Sequence, residues 1–396
     1  MMTLSDKIRK LAQENFEKVV SFRHHLHSHP ELSFEEVNTS KYIAAVLEDN
    51  SIAYKIMGKT GIVATISGKR KGKVIALRAD IDALPITEKN NVSYKSKNEG
   101  VMHACGHDVH SSSLLGTALI LAKLKNEFDG TIKLIFQPGE EKLPGGASIL
   151  IKEGVLKNPN VEQILGQHVH PPLEVGKVGI KPGPFMASAD ELYITVKGKS
   201  GHGALPNECV DPILITSHLI VAMQQLVSRF CNPLMPSVLT IGKINSDGGA
   251  TNIIPEKVFL QGTFRTMDEK WRKEAHQKLT KLSEGLVESM GGNCDIEIRK
   301  GYPSVYNNVD LTNSIKSSMI EYLGQENVVD LPIRMTAEDF AYYSQQIPAC
   351  FYRLGTGNQE KGIISPVHTP TFDIDERALE IGSGLMAFLV IQSLQE

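Results

Sequence analysis

The sequence predicts an α/β protein of two domains, the second inserted into the first. Three observations carry this. The chain has 396 residues, more than one hydrophobic core usually organises. Over its first half, short glycine-bounded apolar runs alternate with helical stretches, the pattern of a parallel or mixed sheet covered by helices. Beyond residue 185 the order changes to β-α-β-β-α-β, the ferredoxin-like signature.

The elements follow in order. Ser5 opens a first helix running to about His27. Pro30 closes it, because the residue before a proline avoids the helical region. "TGIVATISG" and "GKVIALRADID" read as strands. Residues 111–125, "SSSLLGTALILAKLK", have a serine cap and helical spacing. "GTIKLIFQPGEE" is a strand entering a Pro-Gly break, and "VEQILGQHVH" is a strand ending on its histidines. In the insert, "DELYITVKG" alternates with period two. "DPILITSHLIVAMQQLVSRF" is one long helix, and "SVLTIGKIN" and "KVFLQGTFRT" are strands. "DEKWRKEAHQKLTKLSEGLVESM" is a charged amphipathic helix and "CDIEIRKG" a last strand. After residue 300 the first pattern returns and closes on the apolar helix "ALEIGSGLMAFLVIQSLQ". These readings assign 1–184 and 301–396 to a discontinuous larger domain and 185–300 to the insert.

Composition narrows the function. Hydrophobic residues make up 41% and charged residues 22%, as in ordinary globular proteins. The net charge of −3 offers no basic excess for nucleic acid or an anionic membrane. No uninterrupted apolar run reaches the roughly 18–20 residues that span a bilayer. The N-terminus lacks the apolar core and cleavage site of a signal peptide. Five cysteines, widely spaced and odd in number, argue against a disulfide framework and for a reducing, cytoplasmic compartment.

The chemistry concentrates in four places. "VMHACGHDVH", 101–110, holds Cys105 and His107 on a glycine-containing turn. The helix start after it favours a thiolate, and thiolate with imidazole suits zinc and similar ions. The same stretch also reads as a thiol nucleophile with its base, or as a histidine-rich loop. "FQPGEEK" places Glu140 beside Glu141, so that one can ligate a metal while the other reaches water as a general base. "GQHVH" offers His168 and His170, of which one suffices, and "SPVHTP" holds His368 between prolines. Together these donors lie at strand ends, where α/β sheets build sites, and they suit a two-metal centre bridged by Cys105 or by water. Asp80 and Asp82 in "RADIDALP" suit orientation of ligands or of the loop. Glu338 and Asp339 in "MTAEDFAYY" suit a helix start.

In order along the chain, "HSHPELSFEE", "ALRADIDALPITE", "GVMHACGHDVH", "LIFQPGEE", "GQHVHP", "GKSGHGALP", "ATNIIP", "GTFRT", "MTAEDFAYY" and "SPVHTPTFDID" resemble the metal-dependent amidohydrolases of the aminoacylase and carboxypeptidase-like metallopeptidase superfamily. The nearest branch contains N-acyl-amino-acid amidohydrolases, hippurate hydrolases and auxin-conjugate hydrolases. The resemblance implies a phosphorylase/hydrolase-like α/β catalytic domain with a ferredoxin-like lid that also dimerises. It implies two divalent ions per subunit (zinc, manganese, nickel or cobalt), with Cys105 bridging and His107, Glu141, His168 and His368 as the other ligands. Glu140 takes the place of the general base. His202 takes that of a lid histidine that contacts the scissile carbonyl, often across a dimer. Asn252 and Arg265 stand as substrate contacts and Asp80 as an orienting residue. The implied substrate is a small N-acyl amino acid, and the implied assembly a homodimer or tetramer.

The chain departs from the family pattern at three points. Lys142-Leu143-Pro144 replaces common glycines, Gly203 stands where alanine is frequent, and His24 and His25 stand where arginines are common. Three other readings stay open: a dipeptidase of the same superfamily, a cysteine-nucleophile hydrolase, and a metal-binding dimer without turnover.

Overall fold

The computed structural model describes residues 2–395, which form two compact units. The larger comprises the chain up to Gly183, Tyr306–Pro332 and the segment from Asp339 onward; the smaller comprises Pro184–Val305 and Ile333–Glu338. Residues 301–305 and 333–338 therefore pack with the smaller unit, where the sequence assigned them to the larger domain. Backbone bonds account for the second segment, since Ala187 N–H donates to the carbonyls of Arg334 and Thr336.

The larger unit is built on an eight-stranded sheet. Its order is Tyr54–Met57, Gly61–Ser67, Thr131–Gln137, Val74–Asp80, Gln163–Glu174, Ala349–Gly357, Val178–Ile180 and Val328–Asp330. The four central strands run parallel, and the first two are antiparallel additions. Every residue of Val74–Asp80 is buried, as in a strand covered on both faces; it opens on four apolar residues, and its buried Arg78 and Asp80 pair with each other at 2.7 Å. Gln163–Glu174 extends past His168 and His170 through two prolines, where the sequence suggested an end.

Three helices pack together in this unit, Leu4–Ser28, His107–Leu124 and Arg377–Gln395. The first is capped by Thr3 rather than Ser5. Its hydroxyl accepts the Asp6 N–H while the Asp6 carboxylate accepts the Thr3 N–H, both at 3.1 Å, a reciprocal capping box. The second begins at His107, four residues before the serine run. Ser111 and Ser112 do not cap it; their hydroxyls donate to the carbonyls of His107 and Asp108 one turn back. Arg377–Gln395 and Pro212–Phe230 are long and apolar enough to cross a membrane by length and composition, a point that counting uninterrupted runs misses. The former is a core helix, 72% buried over its apolar window.

A buried ionic cluster ties the first helix to two later segments. Arg23, with no exposed side-chain surface, donates to Asp108 at 3.2 Å, to Asp373 at 2.5 Å and to Glu376 at 3.2 Å. His27 lies 2.8 Å from the same Asp108 carboxylate. Burial alone would lower the His27 pKa, but Asp108 and Glu88 push it up to about 9. Asp108 follows His107 directly, and Asp373 lies five residues after His368, so one guanidinium holds both stretches.

The smaller unit carries an antiparallel sheet ordered Ser237–Ser246, Lys257–Thr266, Asp190–Lys197, Asn293–Lys300. Helices Pro212–Met223 and Glu269–Ser289 pack on it through Ile215, Leu219, Ala275 and Leu279. This order and connectivity are those of a ferredoxin-like fold. The long helix expected over 211–230 ends its α-helical part at Met223 and finishes in a wider π turn, Leu226–Phe230.

Candidate metal centre

Backbone geometry brings the first donors together. The turn before His107 needs Gly106, whose φ is +83°. A Cβ there would lie 2.6 Å from a methyl group of Val169, so the turn presses directly on the strand that carries His168. Cys105, His107 and His168 consequently offer ligand atoms within 4.8 Å of one another, all buried. Cys105 Sγ and His168 Nε2 are 3.5 Å apart.

A second group shares the same sulfur: Cys105, Glu141 and His368 also lie within 4.8 Å of one another. His368 Nε2 is 3.1 Å from Glu141 Oε1. His368 has a φ of +63°, a left-handed conformation uncommon for a residue with a side chain. Its N–H donates to the Ala104 carbonyl at 2.7 Å, which fixes the imidazole beside the Cys105 turn. Glu140, 7% exposed, groups with His107 and Glu141.

Two of the histidines are aimed by their other nitrogen. His107 Nδ1 is 3.1 Å from Asp82 Oδ1, leaving a buried Nε2 with no hydrogen-bond partner among the described residues. His168 Nδ1 bonds the Val169 carbonyl at 2.8 Å, leaving Nε2 towards Cys105. Metal-binding histidines are typically anchored in this way. His110 differs. Its Nδ1 meets Asp80 and its Nε2 accepts the Val169 N–H at 2.9 Å, so no lone pair remains for a metal. His170 falls in none of the candidate groups among the described residues.

The turn that carries the glutamate pair is held by carboxylates. Asp82 Oδ2 accepts the Glu141 N–H at 3.0 Å and the Ser33 hydroxyl at 2.6 Å. Asp82 thus spans the His107 ring and the Glu141 backbone. Asp339 accepts from the Ala147 N–H at 2.9 Å, from Gln137 Nε2 and from Arg78. Asp339 thus fixes the far side of the same loop, and it precedes a helix of four residues, Ala341–Ser344. Asp80 pairs with Arg78 and His110. Ser33 and Arg78 carry no pattern in the sequence that marks them, since a buried partner is visible only once the chain has folded.

The electrostatics favour a cation. Burial, with Glu141 adding to it, pushes the Cys105 thiol above its ordinary pKa, against the opposing pull of His107. Burial thus acts against the thiolate that the helix start favours. Burial works to lower the His107 pKa too, yet Asp80 and Cys105 hold it well above the ordinary value. Contacts with Cys105 and Glu141 push His368 up to about 10. The surplus negative charge that draws protons onto these two rings would equally draw metal ions in their place. One thiol, three imidazoles and one carboxylate in two groups sharing a sulfur fit a pair of divalent ions of the zinc type.

The remaining sequence candidates lie in the smaller unit. His202 pairs with Ile253 in a two-stranded ribbon, and its Nδ1 accepts the Ala204 N–H at 3.0 Å. The Asn252 carbonyl accepts the Gly203 N–H at 2.8 Å. Half-buried Arg265 donates to the Met335 carbonyl at 3.0 Å.

The anchoring of His107 has a measurable consequence. Asp82→Asn should weaken metal affinity about 10- to 100-fold, read by competition with a chromophoric chelator. Unchanged affinity would mean that Asp82 does not orient a ligand.

Comparison with known proteins fits this geometry. Residues 76–392 match the model of peptidase family M20/M25/M40. The chain is 39% identical over 382 residues to N-acetyl-L-cysteine deacetylase of Bacillus subtilis, covering 96% of this chain and 89% of that protein. It is 36% identical over 395 residues to thermostable carboxypeptidase 1 of Saccharolobus solfataricus, covering 99% of both. The crystal structure of the Bacillus subtilis YXEP protein, a dinuclear metal-binding peptidase of the M20 family, superposes with a TM-score of 0.85 at 35% identity, covering 97% of this chain and 99% of that one. The chain belongs to peptidase family M20/M25/M40 and is a hydrolase of amide or peptide bonds.

Proposed function

We propose that this protein removes the acyl group from small N-acyl amino acids, using two divalent ions held by Cys105, His107, Glu141, His168 and His368, with Glu140 as general base. The observation that carries the reading is the pair of donor groups sharing Cys105 Sγ, with Glu140 beside them. The deacetylase relative supports the N-acyl substrate, and the dinuclear relative supports the ion count. The carboxypeptidase relative supports the second reading, a peptidase acting on short peptides with a free carboxylate.

Bound ions would supply Lewis acidity, polarising the substrate carbonyl and acidifying water. Cys105, His107, Glu141, His168 and His368 hold and space them. Glu140 takes a proton from the attacking water and returns it to the leaving amine. A cysteine-nucleophile route is disfavoured, because it leaves Glu140, Glu141, His168 and His368 without a role, and burial raises the Cys105 pKa where a nucleophile needs it lowered.

In the smaller unit we assign to His202 the stabilisation of charge on the carbonyl oxygen, contributed to the site of a partner subunit. Asn252 and Arg265 are assigned to substrate binding. A homodimer is supported by exposed apolar side chains of this unit. On helix Pro212–Met223, Leu214 is 53% and Val221 73% exposed, and Ile244 on the sheet's edge strand is 53% exposed. Such patches and bare edges are commonly covered by a partner. All five cysteines are free, which supports action in a reducing cytoplasm.

Glu140→Gln should lower kcat on N-acetyl amino acids at least about 100-fold while metal content by elemental analysis stays at the wild-type level; normal turnover would remove Glu140 as base. Mixing inactive His202→Ala with inactive Glu140→Gln protein should restore part of the activity if the histidine acts across a dimer. No recovery would place its action within one subunit.

A further inference from the structure

The mechanism above does not use Glu36, although it is fully buried. Its carboxylate reaches from the "PELSFEE" segment to the turn that carries the glutamate pair. Glu36 Oε1 accepts the Gly139 N–H at 2.8 Å and the Phe34 N–H at 2.8 Å. Glu36 Oε2 accepts the Thr60 hydroxyl at 2.7 Å. Gly139 immediately precedes Glu140 and has a φ of +58°, so its peptide orientation sets where the Glu140 side chain begins. The same segment closes the turn from a second side. A Cβ on Gly139 would meet the Phe34 ring at 2.2 Å, and Phe34 itself has a φ of +68°.

We propose that Glu36 is a positioning residue for the general base: it fixes the Gly139 peptide, and with Phe34 and Thr60 it holds Glu140 at the attacking water. The proposal rests on the assignment of Glu140 as base. The physical argument is one of division. The Glu141 N–H is held by Asp82, which also orients a metal ligand, whereas the Gly139 N–H is held by Glu36, which touches none of the proposed ligands. A buried carboxylate accepting backbone N–H groups is a strong, directional anchor. Releasing it would let Glu140 drift while the metal donors stay in place. Displacements of about 1 Å at a reacting group can cost up to about 100-fold in rate.

The test is steady-state kinetics on metal-loaded Glu36→Ala and Glu36→Gln proteins, alone and combined with Glu140→Gln. Glu36→Ala should lower kcat about 10- to 100-fold with KM and metal stoichiometry unchanged. Glu36→Gln should keep most of the rate, because an amide oxygen still accepts the Gly139 and Phe34 N–H groups and its NH2 donates to Thr60. The double variant Glu36→Ala/Glu140→Gln should be no slower than Glu140→Gln alone, since residues acting through one group are non-additive. Should Glu36→Ala not fold, Thr60→Val frees one carboxylate oxygen and should lower kcat several-fold at constant KM. Normal kcat in the folded Glu36 or Thr60 variant, metal loss in place of rate loss, or additive losses in the double variant would each overturn the proposal. An active Glu140→Gln protein would instead sink the base assignment on which it stands.

Discussion

The larger unit is organised around buried negative charge at one end of its sheet. Asp80, Asp82 and Asp339 are fully or almost fully buried, and Glu140 nearly so. Isolated carboxylates in such surroundings are costly. Each of the three aspartates is offset by donors that also do positional work: Arg78 for Asp80 and Asp339, and the Glu141 N–H and His107 for Asp82. The glutamate turn and the His107 helix start take their places from these bonds, and the His368 loop from the bond of its N–H to the Ala104 carbonyl. The buried His107 Nε2 makes no hydrogen bond among the described residues and lies 3.6 Å from the Asp80 carboxylate.

Support for the site comes from far along the chain. Arg23 on the first helix joins Asp108, next to His107, with Asp373, just beyond His368. Asp108 and Asp373, 85 and 350 positions from Arg23 in the sequence, are thereby fixed around one guanidinium, whose planar fork suits several carboxylates at once. The buried strand Val74–Asp80 and the core helix Arg377–Gln395 give this cluster a stiff backing. A dense interior transmits small displacements, so a metal pair with two distinct donor sets needs such a frame.

Much of this was legible before folding, and the reasons differ by element. The ferredoxin-like order of the smaller unit is visible because alternation and helical periodicity switch cleanly along 190–300. The donors are visible because cysteine, histidine and paired glutamates crowd into short stretches. The start of the His107 helix was misplaced, because serines that cap helices in sequence patterns can also bond back along a helix, as Ser111 and Ser112 do. The roles of Glu36, Ser33, Arg78 and Arg23 were invisible for a different reason. Each bonds at least one partner between 24 and 353 residues away, and no local period encodes such a pairing. The preference of His110 for Asp80 and Val169 over a metal likewise emerges only from the fold.

The central claim is that Cys105 Sγ is shared by two cation sites, one completed by His107 and His168 and the other by Glu141 and His368. Anomalous diffraction from crystals grown with zinc tests this most directly. Two peaks per chain, each within the roughly 2.3 Å of a zinc–sulfur bond from Cys105, are the predicted result. A single peak, or a second peak held by Asp80 and His110 away from the sulfur, would contradict it.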